Sequence, residues 1–218
     1  MNRLQKAIAT VLAGSVLAGF TQQAAAMPVT DLGTLANADI TSTLSLAKYS
    51  WDGTAGLGAP PHNEGWTHTS NWVMFRLEQR SRVTIKLRAK GPDLNPAATV
   101  WKTKGEFDGN NHQSHVFNQI GNSGASEFLV NGIGNDKVRS FVGYVNSGNA
   151  FTGGGGEIEK GGPHGAHVRK GFAKLVLFNL RPGQYLMAIG GSCFTDGTAR
   201  VCGEGRVDAS LTITRTAP

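Results

Sequence analysis

The chain has 218 residues, 30 of them glycine, only 17 % charged residues and a formal charge of +6. That length suffices for one domain with a real core. Abundant glycine with few charges suits a loop-rich, all-β exported protein better than a helical one. The basic residues are scattered, which gives little ground for a nucleic-acid partner, and export argues against one.

Residues 1–26 have the three-part layout of a secretory signal peptide. Arg3 and Lys6 precede an apolar run from Ala7 to Phe20, and Ala24-Ala25-Ala26 supplies the small-residue cleavage site. The apolar run is too short for a stable membrane span, and no later stretch is apolar for long enough to form a transmembrane segment. The mature chain is expected to begin near Met27, to be secreted or held at the cell surface, and to carry about +4 once Arg3 and Lys6 are lost. No lipidation cysteine follows the signal, so retention at the surface would need an outer-membrane or cell-surface partner or another non-covalent contact.

The remainder, 27–218, is read as a single β-sandwich domain. A short helix fits 27–38, and the regular body is expected over roughly 40–216 with the first mature residues loosely attached. Strands follow at period 2. "TSTLSLAKYS" puts Leu44 and Leu46 on one face. "NWVMFRLEQ" puts Val73, Phe75 and Leu77 on one face, Trp72 and Met74 on the other. "RVTIKLRA" alternates Val83, Ile85 and Leu87 with Arg82, Thr84, Lys86 and Arg88, a wet strand face. "ATVWKTK", "HVFNQI", "SEFLVNG" and "VRSFVGYVN" continue the series. Residues 151–167, "FTGGGGEIEKGGPHGAH", read as a long glycine-rich loop, of the kind that is usually functional or disordered. "AKLVLFNLRPGQYLMAIGG" is two strands joined at Arg181-Pro182-Gly183. "RVDASLTITRT" closes the chain with Val207, Ala209, Leu211 and Ile213 facing one way. Eight or nine short strands with Gly, Pro and Asn between them predict a two-sheet antiparallel β-sandwich, jelly-roll-like, with long Gly-rich loops.

Cys193 and Cys202 are the two cysteines. An even count in an exported chain favours a disulfide, with a thiolate metal ligand as the alternative.

The six histidines fall into three pairs beside loops: His62 and His68, His112 and His115, His164 and His167. Imidazole is the commonest protein ligand for late transition metals, and three loop pairs can converge at one rim of a sandwich. Within "EGWTHTSNW", Trp66 and His68 are two apart. On an extended chain they share a face, about 6–7 Å apart at their bases. Residues three apart on a strand face opposite sides, so at most one of His112 and His115 reaches a common site. His115 opens an apolar strand, which fixes its direction best. Trp72 and Trp101 read as core; Trp51 and Trp66 sit in loops or at strand edges, where a Trp serves as a lid or a sugar platform. Other chemistry fits less well. There is no GxSxG elbow and no Walker loop. The Gly153–Gly156 run does not follow a strand and open a helix. A blue-copper centre needs a free thiolate.

"WTHTSNWVMFRLE", with "NPAATVWKTKGEFDG" and "HVFNQIG", resembles the copper-repressible, surface-associated copper(I)-binding proteins of methanotrophic bacteria, the CorA/MopE-like family. The resemblance covers most of the mature chain and rests on a short motif, Trp-x-His followed by a distant histidine. It implies an exported Cu(I)-binding protein for copper acquisition or storage, not an enzyme. It further implies a site of two histidines and a kynurenine made from tryptophan. Here Trp66 and His68 match the kynurenine and the first histidine; His115 fits best as the second, with His112 and His164 as alternatives. An intact indole nitrogen only donates, whereas the opened ring carries an amine lone pair for the metal. Glu64 and Asn71 are candidates for orienting the imidazoles. Two other readings stay open: a β-sandwich carbohydrate- or surface-binding module using its edge tryptophans, and a secreted copper or zinc enzyme on the same histidines.

Overall fold

The computed structural model describes residues 29–54, 64–66, 70–103, 117–119, 138–148, 155–158, 167–195 and 202–218. Fourteen strands run along them, and no helix occurs among the described residues. They are β1 (Val29–Thr34), β2 (Ile40–Ala47), β3 (Trp51–Thr54), β4 (Glu64–Trp66), β5 (Asn71–Leu77), β6 (Ser81–Ala89), β7 (Pro96–Thr103), β8 (Phe117–Gln119), β9 (Val138–Asn146), β10 (Gly155–Ile158), β11 (His167–Arg169), β12 (Phe172–Leu180), β13 (Gly183–Thr195) and β14 (Arg206–Thr216).

One sheet has the order β11-β12-β6-β14-β2 and is antiparallel throughout. The other runs β10-β9-β7-β13-β3-β4-β8, with β5 paired to β13 and β1 to β5. The fold is the expected all-β sandwich, with two exceptions to antiparallel pairing: β1 lies parallel to β5, and β3 parallel to β13.

Between the sheets lies one core. Val83, Ile85 and Leu87 from β6 and Leu211 and Ile213 from β14 meet Val73 and Phe75 from β5 and Met187 and Ile189 from β13, all at most 1 % exposed. The alternation read for "NWVMFRLEQ" holds, since Trp72 and Met74 point to the opposite side of their sheet. There they join Trp101, Leu186 and Tyr144 in a second apolar cluster, with the Trp72 and Trp101 rings 6.2 Å apart. Trp72 and Trp101 are therefore core, as expected.

The Arg181-Pro182-Gly183 turn carries the chain from β12 in the small sheet to β13 in the large one. Below the turn, the Tyr185 ring stacks on Phe75 at 5.2 Å and its hydroxyl donates to the Arg181 carbonyl at 2.6 Å. Burial pushes the Tyr185 phenol up to about 12.

Two expectations are corrected. Residues 29–34 form a strand, not a helix, and the segment 29–35, expected to be loosely attached, is firmly held. Asp31 pairs with Arg76 at 2.9 Å, and Leu35 is buried, with its carbonyl accepting from the buried Arg215 guanidinium. Backbone pairing to β5 and the burial of Leu35 outweigh the marginal stability of a helix as short as this one would be. Within the predicted glycine-rich loop, Gly155–Ile158 pairs with Gly143–Asn146 as β10, and His167 opens β11. A glycine strand pairs through its backbone alone, so it leaves no period-2 signal to read. The predicted strand "SEFLVNG" lies outside the described residues.

Candidate metal centre

Trp66, singled out for metal, sits on a narrow ribbon that leaves the main sheet, and His68 and His115 flank two of its strands in sequence. Its base is the far end of β13, where Ser192–Thr195 runs parallel to Trp51–Thr54 of β3. β3 meets β4 at a single pair, Trp51 with Gly65. β4 then pairs antiparallel with β8 at Glu64–Gln119, Gly65–Asn118 and Trp66–Phe117. Trp66 thus ends β4, and Phe117, two residues after His115, begins β8.

Of the predicted ligands, Trp66 is placed by its backbone. His68, His112, His115 and the alternative His164 lie outside the described residues, as does His62. His167 is exposed on the edge strand β11, across from Lys174. Among the described residues there is no group of three or more His, Cys, Asp or Glu that could hold a metal ion.

Cys193 and Cys202 are joined by a disulfide, with the Cα atoms 5.7 Å apart. That bears out the expected bridge and removes both thiolates from the possible donors, so a Cys-based copper or zinc site is excluded. Imidazole is the commonest protein ligand that remains for a late transition metal. Asn71, proposed as an orienting group, is already engaged: its Oδ1 accepts from Arg206 Nη2 at 2.8 Å.

Sequence reasoning missed one residue that positions the ribbon. Gly191 passes so close to the end of β2 that an added Cβ would meet the Lys48 and Ala47 carbonyl oxygens at 2.6 and 2.7 Å and Leu94 Cδ1 at 2.7 Å. Only glycine lets β13 clear that backbone and continue into the four residues that hold β3. The "GGS" before Cys193 was the available signal.

The sequence profile of the copper(I)-binding protein CorA-like family matches residues 24–136, which is just over half of the chain and includes the whole ribbon. The chain belongs to the copper(I)-binding CorA-like family. Copper is accordingly its metal. A solved structure of CorA, a surface-associated copper-binding protein important in copper acquisition in Methylomicrobium album BG8, is 19 % identical. The match covers 88 % of this chain and 99 % of that one at a TM-score of 0.52, a likeness of fold. MopE, a secreted protein of Methylococcus capsulatus in which an oxidized tryptophan facilitates copper binding, is 11 % identical over 87 % of this chain and 100 % of that one, at a TM-score of 0.45. A comparison with curated protein sequences returned no significant match.

Proposed function

We propose that this CorA-like chain is an exported protein that captures Cu(I) for acquisition or storage, without catalytic turnover. Its site is Trp66 opened to kynurenine, His68 and His115. Residues 1–26 are the leader that exports it, and 27–218 form one copper-binding domain.

The β4–β8 register is the observation that supports this ligand set. Trp66 stands across from Phe117. His68 follows Trp66 by two positions, and His115 precedes Phe117 by two. An antiparallel ladder extended by two residues in the same register would set the two imidazoles opposite each other, with Cβ atoms about 4.5–5.5 Å apart. It would also give them the face that Trp66 occupies. No extension in that register brings His112 opposite His68, which favours His115.

Opening the indole consumes dioxygen across its 2,3-bond and releases the formyl carbon as formate on hydrolysis, leaving an aromatic amine and a ketone. The amine lone pair, with two imidazoles, offers the few borderline nitrogen donors that Cu(I) accepts. A site with this donor set holds and releases metal without an acid or base.

Copper content of protein purified from its native host tests the site. A His68→Ala/His115→Ala double variant should lose nearly all bound copper, and His62→Ala and His167→Ala should keep it. Full copper stoichiometry in the double variant would sink the assignment. Intact-mass analysis of the Trp66 peptide should show ring-opened tryptophan in native-host protein and plain tryptophan where the modification has not occurred.

A further inference from the structure

We propose that the outer face of the five-stranded sheet binds an acidic polysaccharide, an extended glycan bearing carboxylates, and that this contact is separate from the copper site. The inward residues of β6 and β12 are Val83, Ile85, Leu87, Ala173, Leu175 and Leu177. Their alternates therefore face out. In register across the two strands, Lys174 stands directly opposite Lys86, and Phe172 opposite Arg88. On the far side of β12, Arg169 of β11 is paired with the same Phe172. Both guanidiniums lie over the Phe172 ring, each 5.1 Å from its centroid. Lys170 continues the row into a cleft of about 460 Å³ that Arg88, Arg169 and Phe172 also line. Asp93 at its rim is the one carboxylate there.

Two physical features point to an anionic partner. The Lys86–Lys174 pair puts like charges directly opposite one another, an arrangement that destabilises a sheet. Among the described residues no carboxylate compensates it; the ion pair of Asp31 lies with Arg76 on the other sheet. Protection of the sheet edge by charge would explain Arg169 on the edge strand. It does not explain Lys86 and Arg88, which lie on the middle strand of five.

The surface also discriminates among polyanions. Guanidiniums from the strands on either side lie over Phe172, which leaves it a poor platform for the base stacking that single-stranded nucleic acids use. It is likewise a poor anchor for a bilayer, which needs protruding apolar side chains. A flat array of cations beside the hydroxyl-bearing strand β14, where Thr212 stands opposite Lys86 and Ser210 opposite Arg88, suits a chain of sugar carboxylates and hydroxyls.

The test uses the full mature chain on immobilised alginate, with dextran as the neutral control. The protein should be retained on alginate, released by salt, and pass through dextran. Lys86→Gln/Arg88→Gln/Arg169→Gln should weaken alginate binding by at least about tenfold, since several weak contacts act together. It should leave copper content in place and should not lower the melting temperature. Equal retention on dextran, or unchanged alginate binding by a folded triple variant, would overturn the proposal. So would tighter binding at equal salt to oligo-dT or to phosphatidylglycerol vesicles than to alginate. Loss of copper in His68→Ala/His115→Ala leaves the alginate result untouched, so the two proposals fail separately.

Discussion

The five-stranded sheet and the β3–β4–β8 ribbon solve the problem of staying folded in different ways. In the sheet, β2, β6, β12 and β14, of eight to eleven residues, pair over long registers, with only the three-residue edge strand β11 short, and alternate side chains enter the core. In the ribbon, strands of three or four residues are joined through as little as one pair, Trp51 with Gly65. The sheet owes its shape to burial of apolar area, and the ribbon to its attachment along Ser192–Thr195. The metal site proposed above would gain from such a location, with ligands fixed by a scaffold whose stability does not depend on them.

The largest expected effects separate the two regions. Phe75→Ala empties a fully buried position stacked on Tyr185 and should cost about 3–5 kcal/mol in urea unfolding. The copper that survives in its folded fraction should be unchanged per molecule. His68→Ala should do the reverse, removing most copper while shifting apo-protein stability by no more than about 0.5 kcal/mol. A His68→Ala protein that unfolded as easily as Phe75→Ala would show that the site and the core are one structure.

The same contrast decides what the residues disclosed in advance. The alternation of Val83, Ile85 and Leu87 with charged neighbours specified both a strand and its buried face, because a one-residue slip would expose the whole apolar set. Val73, Phe75 and Leu77 against Trp72 and Met74 disclosed a strand buried on both sides. β10 left no such trace, since Gly155 and Gly156 have no side chains to alternate. The parallel docking of β1 on β5 depends on contacts distant in sequence, such as Asp31 with Arg76, that no local pattern encodes. At the proposed site, the two-residue spacing of Trp66 and His68 was legible, and so was a strand opening near His115. The pairing of β4 with β8 was not, for strands of three residues lack a period to detect.

A smaller effect lies at the junction of the two regions. The Cys193–Cys202 bridge closes a short loop where β13 pairs with β3, since Cys193 is in register with Asp52. The chain-entropy account gives it roughly 2–3 kcal/mol. Thiol titration of unreduced, denatured protein should find no free thiol. Cys193→Ala/Cys202→Ala should lower stability by that amount yet retain copper, because the sulfurs are not ligands. Copper lost together with the disulfide would mean that the junction, not only the ribbon, sets the site's geometry.

Tyr185 gives a test confined to the body. Its phenol is raised to about 12 when folded, against an ordinary value of 10.0. The folded state therefore holds the proton more tightly than the unfolded chain. The associated stability is fully present below about pH 10 and is lost as pH rises toward 12. Tyr185→Phe should cost about 1 kcal/mol at neutral pH through the lost bond to the Arg181 carbonyl. It should also flatten the alkaline fall in stability between those limits. A fall of undiminished slope in the variant would assign it to other groups.

The smallest effect bears on why the body carries a charge pattern that its own stability does not favour. Lys86 and Lys174 stand opposite on the outer face, where like charges repel. Lys86→Glu turns that repulsion into attraction and should raise stability by about 0.2–1 kcal/mol at low salt. The gain should shrink as salt is added, because the pair is solvent-accessible. The same substitution should weaken retention on alginate. Stability and binding would then move in opposite directions at one residue, as expected where a surface keeps an unfavourable pair for the ligand it meets. If Lys86→Glu left both unchanged, the pair would be too well solvated to matter, and the basic face would be ordinary wet surface.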